Sequence, residues 1–184
     1  MIAAVEFLCY HRDRPGSGDL RFALREAHWG YMDGFAGAMI ARGPTFEGDT
    51  LTGSLHVLTL PDAAAARAFA FDEPGYQAGA YRDVLIRRWE NRLGRTMWDF
   101  PPGRDGGPYF LVLGLSAGPA ADLDPPAGAA LIAYGPLLSD DGSQWLGTAA
   151  LVSAASPVEA REILTAGRYA AVEVHTWTFG GRPG

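Results

Sequence analysis

Residues 37–44, GAMIARGP, resemble residues 128–136, GAALIAYGP, so one apolar block ending in Gly-Pro occurs twice in this chain. Three kinds of segment follow each block in the same order: an apolar segment, an alanine-rich stretch and an apolar run ending in tryptophan. In the first copy these segments are 53–60, 62–71 and 84–89, and in the second they are 147–152, 157–165 and 172–177. An ordered recurrence of this kind predicts two versions of one α+β unit.

The first copy predicts a complete order of elements. A short apolar run at 3–10 is typical of a buried strand, and the Gly- and Pro-rich residues 12–18 end it. A helix follows that Asp19 can cap, and its apolar residues recur at helical spacing. Two further strands, a second helix opened by Pro61 and a last strand complete the copy. The order is β-α-β-β-α-β, which is the ferredoxin-like arrangement.

The second copy shows the same strand and helix rhythm without the first helix, since Gly, Pro and Ala residues replace it. We predict a first domain at 1–100, a linker at 101–108 and a degenerate repeat at 109–184. A ferredoxin-like sheet carries helices on one face only, so its other face must be covered. The second sheet would supply that cover as a pseudo-dimer, and a homodimer is the alternative.

Composition excludes several classes of function. The 184 residues are 48% hydrophobic, enough to build a core, and the net charge of −6 disfavours binding to a nucleic-acid backbone. A single cysteine excludes an internal disulfide framework. The apolar run near Met1 has no basic segment before it and is too short to span a bilayer. We therefore expect a cytoplasmic protein that binds neither membranes nor nucleic acids.

Several short motifs of the first copy resemble those of the YCII-related (YciI-like) domain family, a branch of the dimeric α/β-barrel group. They are LCYHRDRPG at 8–16, AH at 27–28, GP at 43–44, GS at 53–54, EP at 73–74 and AGAY at 78–81. The resemblance implies a ferredoxin-like fold that pairs into a barrel-like dimer. It also implies a site built from a His on the first helix and an acid just before a Pro. Some relatives are lyase- or dehydrochlorinase-like enzymes acting on small cyclic or aromatic compounds.

His28 is the leading catalytic candidate. It lies at the edge of the apolar stripe of the first helix, where a His is partly buried and can act as a general acid or base near neutral pH. The alternative is a histidine at the edge of the core that hydrogen-bonds a backbone carbonyl. The spacing of residues leaves both interpretations open, and the resemblance favours the functional one.

Glu73 is the predicted partner of His28, and Asp72 is the alternative. The family usually shows Asp-Pro at this point, whereas this chain has Asp72, Glu73 and Pro74 in succession. A carboxylate beside His28 would orient the ring and raise its pKa. The competing interpretation is that both acids lie in solvent at a helix C-terminus, where the helix dipole disfavours negative charge.

Ser54, Arg12 and Tyr10 are the candidate substrate-binding residues. Ser54 follows Gly53 on a strand and could hydrogen-bond a ligand, but no nucleophile-elbow motif surrounds it. Arg12 follows the first strand and could receive an anionic group. Tyr10 and His11, at the end of that strand, could line a cavity, and a surface loop is the alternative. The histidines lack metal-ligand spacing and no cofactor signature is present, so we expect neither a metal nor a cofactor.

Two hypotheses of different classes follow. The first is a small cofactor-independent enzyme of lyase or isomerase type, in which His28 and Glu73 move a proton on a small cyclic or carbonyl compound. The second is a non-catalytic module for small-molecule binding or assembly. A closed pocket beside the His28–Glu73 pair would favour the first.

Overall fold

The computed structural model describes residues 4–101, 108–116 and 118–182. The chain forms two compact units: unit one is Met1–Ile86 with Phe179–Gly184, and unit two is Arg87–Thr178. Strands and short helices occur in both units, so the predicted α+β class is confirmed.

The linker predicted at 101–108 lies mostly outside the described residues, since 102–107 are not among them. The division into domains 1–100 and 109–184 therefore stays a prediction, and we retain it as a proposal about how the chain arose.

The sheet of unit one has β3 (Thr50–Leu60) between two antiparallel neighbours. These are β1 (Val5–Asp13) and β2 (Met39–Glu47). A fourth strand, β4 (Tyr81–Trp89), begins in unit one and ends in unit two. The order of elements in unit one is therefore the predicted ferredoxin-like order.

Four helices belong to unit one: α1 (Gly18–Ala23), α2 (Arg25–Asp33), α3 (Ala63–Phe71) and α4 (Pro74–Gln77). The single first helix predicted from the periodicity is two helices, because Leu24 adopts φ −91° and ψ 1° between them. Across the described parts of the chain, no helix combines the length and apolar character needed to cross a membrane.

The core of unit one lies between the helices and one face of this sheet. Phe7 and Cys9 of β1, Leu58 of β3, Met32 of α2 and Phe69 of α3 belong to one hydrophobic cluster, and all five are buried. Burial of a large apolar side chain contributes about 1.5–3 kcal/mol to folding. The periodic apolar residues of the sequence thus dock α2 and α3 on the face of the sheet that also carries the polar site residues described below.

Unit two has a sheet of its own. Its strands are β5 (Tyr109–Leu115), β6 (Ala130–Leu138), β7 (Trp145–Ser153) and β8 (Ala171–Trp177). β5 pairs with β7 and β8, β6 pairs with β7, and the last two residues of β4 pair with β6, all antiparallel. The helix α5 (Pro157–Arg161) follows β7.

A loop anchored by Asp122 lies between β5 and β6, where unit one has α1 and α2. None of the described residues of this stretch is helical. Asp122 has φ 54°, a left-handed conformation, and its carboxylate accepts hydrogen bonds from Thr165 and from the Tyr169 hydroxyl. Its carbonyl accepts a hydrogen bond of 2.7 Å from the Tyr134 hydroxyl. Side-chain hydrogen bonds thus fix this loop to the rest of unit two.

A β-bulge precedes the Gly-Pro pair in both units. Between Met39 and Ala41 the strand β2 has one residue more than β3, and the extra residue is Ile40. Ile132 of β6 is extra in the same way against β7. One extra residue shifts the alternation of side chains, so residues beyond the bulge change face. A shared bulge at the same motif position supports the interpretation of the two copies as repeats.

Candidate functional site

A cavity of about 390 Å³ lies in unit one, among the helices and the helix-bearing face of the sheet. Its wall is formed by α1, α2, α4, the strands β2 and β3, the first residue of β4 and residues 179–181, all of which belong to unit one. Pockets for small molecules are typically roughly 300–1,000 Å³. The cavity is therefore large enough for a compound with one ring.

His28 and Glu73 form a hydrogen-bonded pair at the wall of this cavity. The His28 Nδ1 to Glu73 Oε1 distance is 2.8 Å, with the His28 side chain 17% exposed and the Glu73 side chain fully buried. Of the two candidate acids, Glu73 is the one that contacts His28. Because Nδ1 is held by the carboxylate, Nε2 is the ring nitrogen left for a ligand.

Glu73 owes its position to the start of α4. It is the N-cap residue of that helix, its Oε2 accepts a hydrogen bond of 2.8 Å from the Tyr76 amide, and Pro74 occupies the first turn. Proline is favoured at this point because it has no amide hydrogen to satisfy. The expectation of an acid at an unfavourable helix C-terminus is wrong for Glu73, since the N-terminal end of α4 favours its negative charge.

Glu73 is ionised. Burial raises the pKa of its carboxyl, but hydrogen bonds from the His28 ring and from the Gly75 and Tyr76 amides outweigh burial and hold the pKa below its ordinary value. An ionised Glu73 accepts the proton on Nδ1 and so fixes the tautomer of a neutral His28. The free nitrogen Nε2 then carries a lone pair and can accept a proton.

Ser54 and His56 of β3 line the cavity together, since alternate residues of a strand point to the same face. They are 4% and 2% exposed. The centres of the His56 and His28 rings are 5.4 Å apart. Burial lowers the pKa of His56 well below its ordinary value. His56 is therefore a neutral ring beside the pair.

Arg42 reaches the cavity because of the bulge in β2. It pairs with His56 across the two strands, and Pro44 pairs with Ser54, so the four residues share the cavity face. Without the extra residue Ile40, the alternation of β2 would put Arg42 on the opposite face. The sequence carries no simple sign of this change.

His11 lies behind the cavity wall and is fully buried. Its Nε2 donates a hydrogen bond of 2.8 Å to the carbonyl of Ala70 at the end of α3, and burial lowers its pKa. The surface-loop alternative for His11 is therefore wrong, because β1 continues to Asp13 and α3 covers the strand end. The His11 ring lies 4.6 Å from that of Tyr81, whose hydroxyl has a pKa raised by burial.

Three other predicted site residues lie away from the cavity wall. Asp72 is exposed at the end of α3 and does not pair with His28. The Tyr10 hydroxyl is hydrogen-bonded to Thr45 Oγ1 at 2.8 Å in the interior. Arg12 forms an ion pair of 3.1 Å with Asp83. Since the wall includes none of the three, we do not carry their assignment into the proposed function.

The wall instead contains Phe179, Gly180 and Gly181, which no pattern in the sequence pointed to. The Gly180 amide donates a hydrogen bond of 3.1 Å to the Arg42 carbonyl. Arg182, which follows, forms ion pairs with Glu26 at 2.8 Å and Asp33 at 3.2 Å on α2. We call residues 179–182 the closing segment, because they connect β2 to α2 along one side of the cavity.

The corresponding positions of unit two lack these groups. The strand pairings that involve the two Gly-Pro motifs identify equivalent positions in the units. Where unit one has His11, His56 and Arg42, unit two has Gly114, Ala150 and Tyr134. A Cβ atom on Gly114 would lie 2.6 Å from the Tyr169 ring, so aromatic packing occupies this region of unit two.

Unit one is thus a ferredoxin-like domain with a cavity of about 390 Å³ and a His–carboxylate pair at its wall. Residues 5–90 match the model of the YCII-related domain, so the resemblance of the first copy to this family is confirmed over somewhat less than half of the chain. No curated protein matches the chain significantly.

Solved structures similar to this chain include the following two. One is 5-chloro-2-hydroxyhydroquinone dehydrochlorinase from Burkholderia phenoliruptrix AC1100, solved in complex with 2,5-dihydroxybenzoquinone. It is 26% identical over 46% of this chain and 93% of its own, with a TM-score of 0.44. The other is a candidate monooxygenase from Lactobacillus acidophilus NCFM. It is 8% identical over 95% of this chain and 93% of its own, with a TM-score of 0.51. At that identity, the second similarity shows a shared fold alone.

Proposed function

We propose that unit one is a small enzyme of lyase or isomerase type that moves a proton on a cyclic or carbonyl-containing compound. The observation that carries this proposal is the 2.8 Å hydrogen bond between His28 and buried Glu73 at the wall of a cavity of about 390 Å³. A base oriented by a carboxylate at the wall of a cavity, within reach of a substrate proton, is the arrangement that general base catalysis requires.

His28 acts as the base and Glu73 as the positioning residue. The lone pair of Nε2 takes a proton from a carbon next to the substrate carbonyl, and the electrons of the broken C–H bond move to the carbonyl oxygen. The imidazolium that results is stabilised by the carboxylate on Nδ1. In an isomerase the proton then returns to another carbon of the conjugated enolate. In a lyase the enolate electrons re-form the carbonyl and expel a leaving group from the neighbouring carbon, and the proton on His28 passes to that group or to solvent.

Ser54 and Arg42 line the cavity and are suited to receive the charge that develops on the carbonyl oxygen. A hydroxyl and a guanidinium both donate hydrogen bonds, and donors fixed in a water-poor site stabilise an oxyanion more than water does. The neutral His56 ring, packed beside His28, adds no positive charge that would hinder protonation of the base.

Exchange of carbon-bound hydrogen for deuterium tests this function without knowledge of the full reaction. Cyclic ketones and ring enones are incubated with the protein in D2O, and loss of the α-proton signal is followed by NMR. We expect exchange above the buffer rate for some of these compounds, and a loss of roughly 10²-fold or more in His28→Gln.

The matched control is His175→Gln. His175 of β8 also pairs with a glutamate, Glu173, at 2.9 Å, but it lies in unit two. We expect this variant to exchange at the wild-type rate. Full activity in His28→Gln, or no exchange with any compound, contradicts the proposal. Binding without exchange would instead support the alternative of a non-catalytic binding module.

A further inference from the structure

The charge of the cavity is opposite to that of the whole chain. The chain carries a net charge of −6, yet three arginines line the cavity against a single carboxylate among the described wall residues. The arginines are Arg21, Arg25 and Arg42, and the carboxylate is Glu73. A concave site lined by one sign of charge concentrates ligands of the other sign.

Two of these charges are matched within the protein. Arg21 donates a hydrogen bond to the carboxylate of Asp13, and its guanidinium lies 4.9 Å from the centre of the Tyr81 ring. The Glu73 carboxylate is engaged by His28 and the Tyr76 amide. Arg21 and Glu73 therefore stabilise the wall of the cavity through partners within the protein and are less available to bind a ligand.

Arg25 differs from them. Its guanidinium lies 4.6 Å from the ring centre of Phe22 and 5.2 Å from that of Trp29, and both rings line the cavity. Among the described residues it forms no ion pair with a carboxylate. Aromatic faces hold a cation in place without neutralising it.

Arg182 provides the comparison. Its guanidinium lies 5.5 Å from the same Trp29 ring, but it is bonded to both Glu26 and Asp33. Trp29 thus packs near two cations, of which one is neutralised by the protein and the other, Arg25, is not. The uncompensated cation is the one that lines the cavity.

We propose that the ligand of this cavity is a cyclic or aromatic carboxylate whose charged group pairs with Arg25. A guanidinium matches a carboxylate through two parallel hydrogen bonds. The ring would lie against the apolar wall formed by Trp29, Met32 and Pro44, and Arg42 adds positive potential from the strand side. The inference rests on the proposed function in one respect: it names the substrate class of the same site.

Binding of simple ring compounds tests the inference independently of turnover. Benzoate is titrated into the full chain and followed by ligand-observed NMR, and benzamide serves as the uncharged compound of the same shape. We expect benzoate to bind roughly tenfold more tightly than benzamide, as hydrogen bonds to a charged group would give. The preference should shrink at high ionic strength, because salt screens the ion pair.

Arg25→Ala should remove the preference for benzoate, whereas Arg67→Ala should keep it. Arg67 is an exposed arginine of α3 in the same unit that does not line the cavity, so it controls for the change in net charge. Equal affinities of the wild type for the two compounds, binding of neither at millimolar concentration, or an unchanged preference in Arg25→Ala would each overturn the inference.

His28→Gln separates this inference from the proposed function. It should still prefer benzoate, because the carboxylate pairs with Arg25 and not with the base. Preference for benzoate without any deuterium exchange would sustain the ligand class and reject the proton-transfer chemistry. Exchange on neutral ring ketones without a preference for benzoate would sustain the proton-transfer chemistry and reject the ligand class.

Discussion

Glu73 holds His28 with only one of its carboxylate oxygens. Oε1 accepts from His28 Nδ1 and Oε2 accepts from the Tyr76 amide, each at 2.8 Å. One buried carboxylate therefore orients the candidate base and caps α4 at the same time. Any change to Glu73 affects both roles, and the predictions for this residue must separate them.

Glu73→Gln should lower the free energy of unfolding by roughly 1–3 kcal/mol. An amide has one oxygen, so if that oxygen accepts from Tyr76, the NH2 group faces His28 Nδ1 and can bond to it only when the ring takes the other tautomer. In either orientation the charged acceptor is lost, and with it the stronger hydrogen bond. Urea denaturation measures the change. Glu159→Gln is the control, because Glu159 also accepts from a backbone amide near a helix start but is exposed. Equal losses in the two variants would contradict the role of burial.

Burial of His56 should make stability fall as the pH decreases. Its pKa in the folded state lies well below the ordinary value of 6.5, so the unfolded chain binds more protons below that pH. Stability contributed by the neutral ring is complete above about pH 6.5 and declines towards the folded-state pKa. Denaturation experiments give the free energy of unfolding at each pH. Between about pH 7 and about pH 5, this free energy should fall less steeply in His56→Phe than in the wild type. Identical slopes would show that His56 does not titrate on unfolding.

Two glycines of unit one should respond oppositely to alanine. A Cβ atom on Gly53 would lie 2.6 Å from both the His11 carbonyl and the Tyr10 ring, so Gly53→Ala should destabilise by about 1–3 kcal/mol. Gly30 of α2 has open space around it, and Gly30→Ala should stabilise by about 0.5–1 kcal/mol because alanine favours the helix. Thermal unfolding of both variants checks the signs. A stabilised Gly53→Ala would mean that β1 can move away from β3 at this point.

Asp122 should be a stabilising residue of unit two. Asp122→Ala removes the acceptors of the hydrogen bonds from Thr165 and Tyr169. It also places alanine, which disfavours the left-handed region, at a φ of 54°. We therefore expect the free energy of unfolding to fall by about 1–3 kcal/mol. Asp124→Ala, in the same loop, is the control and should have little effect, because Asp124 is exposed. Chemical denaturation followed by tryptophan fluorescence compares them, and similar losses would point to a general effect of the loop.

The same carboxylate also predicts acid sensitivity. Burial raises the pKa of the Asp122 carboxyl, but hydrogen bonds from Thr165 and Tyr169 outweigh burial and hold this pKa below its ordinary value of 3.8. Its contribution is present above the unfolded-state pKa and is lost as the pH falls through the folded-state pKa. The difference in unfolding free energy between the wild type and Asp122→Asn should therefore shrink on acidification below about pH 4. A difference that does not change with pH would contradict this.

The sequence predicts the position of a site residue correctly where the neighbouring residues alone determine the local structure. Helical spacing predicts that His28 lies on a helix at the edge of its apolar stripe. The choice of Glu73 rests on the family resemblance, and the helix start at Pro74 that orients its carboxylate is not predicted. Asp72, the alternative partner of His28, does not contact it because Asp72 ends α3 and faces solvent. Arg42, in contrast, depends on a change of strand alternation at Ile40, and only the pairing with β3 reveals that change.

The remaining differences come from contacts between distant parts of the chain. For His11 the sequence left a cavity wall and a surface loop open, yet the end of α3 covers it and its ring donates to the Ala70 carbonyl. Arg12, expected at the ligand, is held instead by Asp83, 71 residues away. Periodicity within one segment carries no information on which other segment will cover it.

The closing segment brings a residue near the C-terminal end of the sequence against a strand of the first copy, so substitutions at the two positions are coupled. A Cβ atom on Gly180 would lie 2.6 Å from the Cα atom of Gly43, so Gly180 cannot be enlarged unless the backbone at Gly43 moves. A larger residue at 180 should therefore be accompanied by a change near 43 among descendants of this gene, although 136 residues lie between the two glycines. A gene fragment that ends at residue 100 would encode the His28–Glu73 pair but omit part of the cavity wall, and would inherit an incomplete pocket.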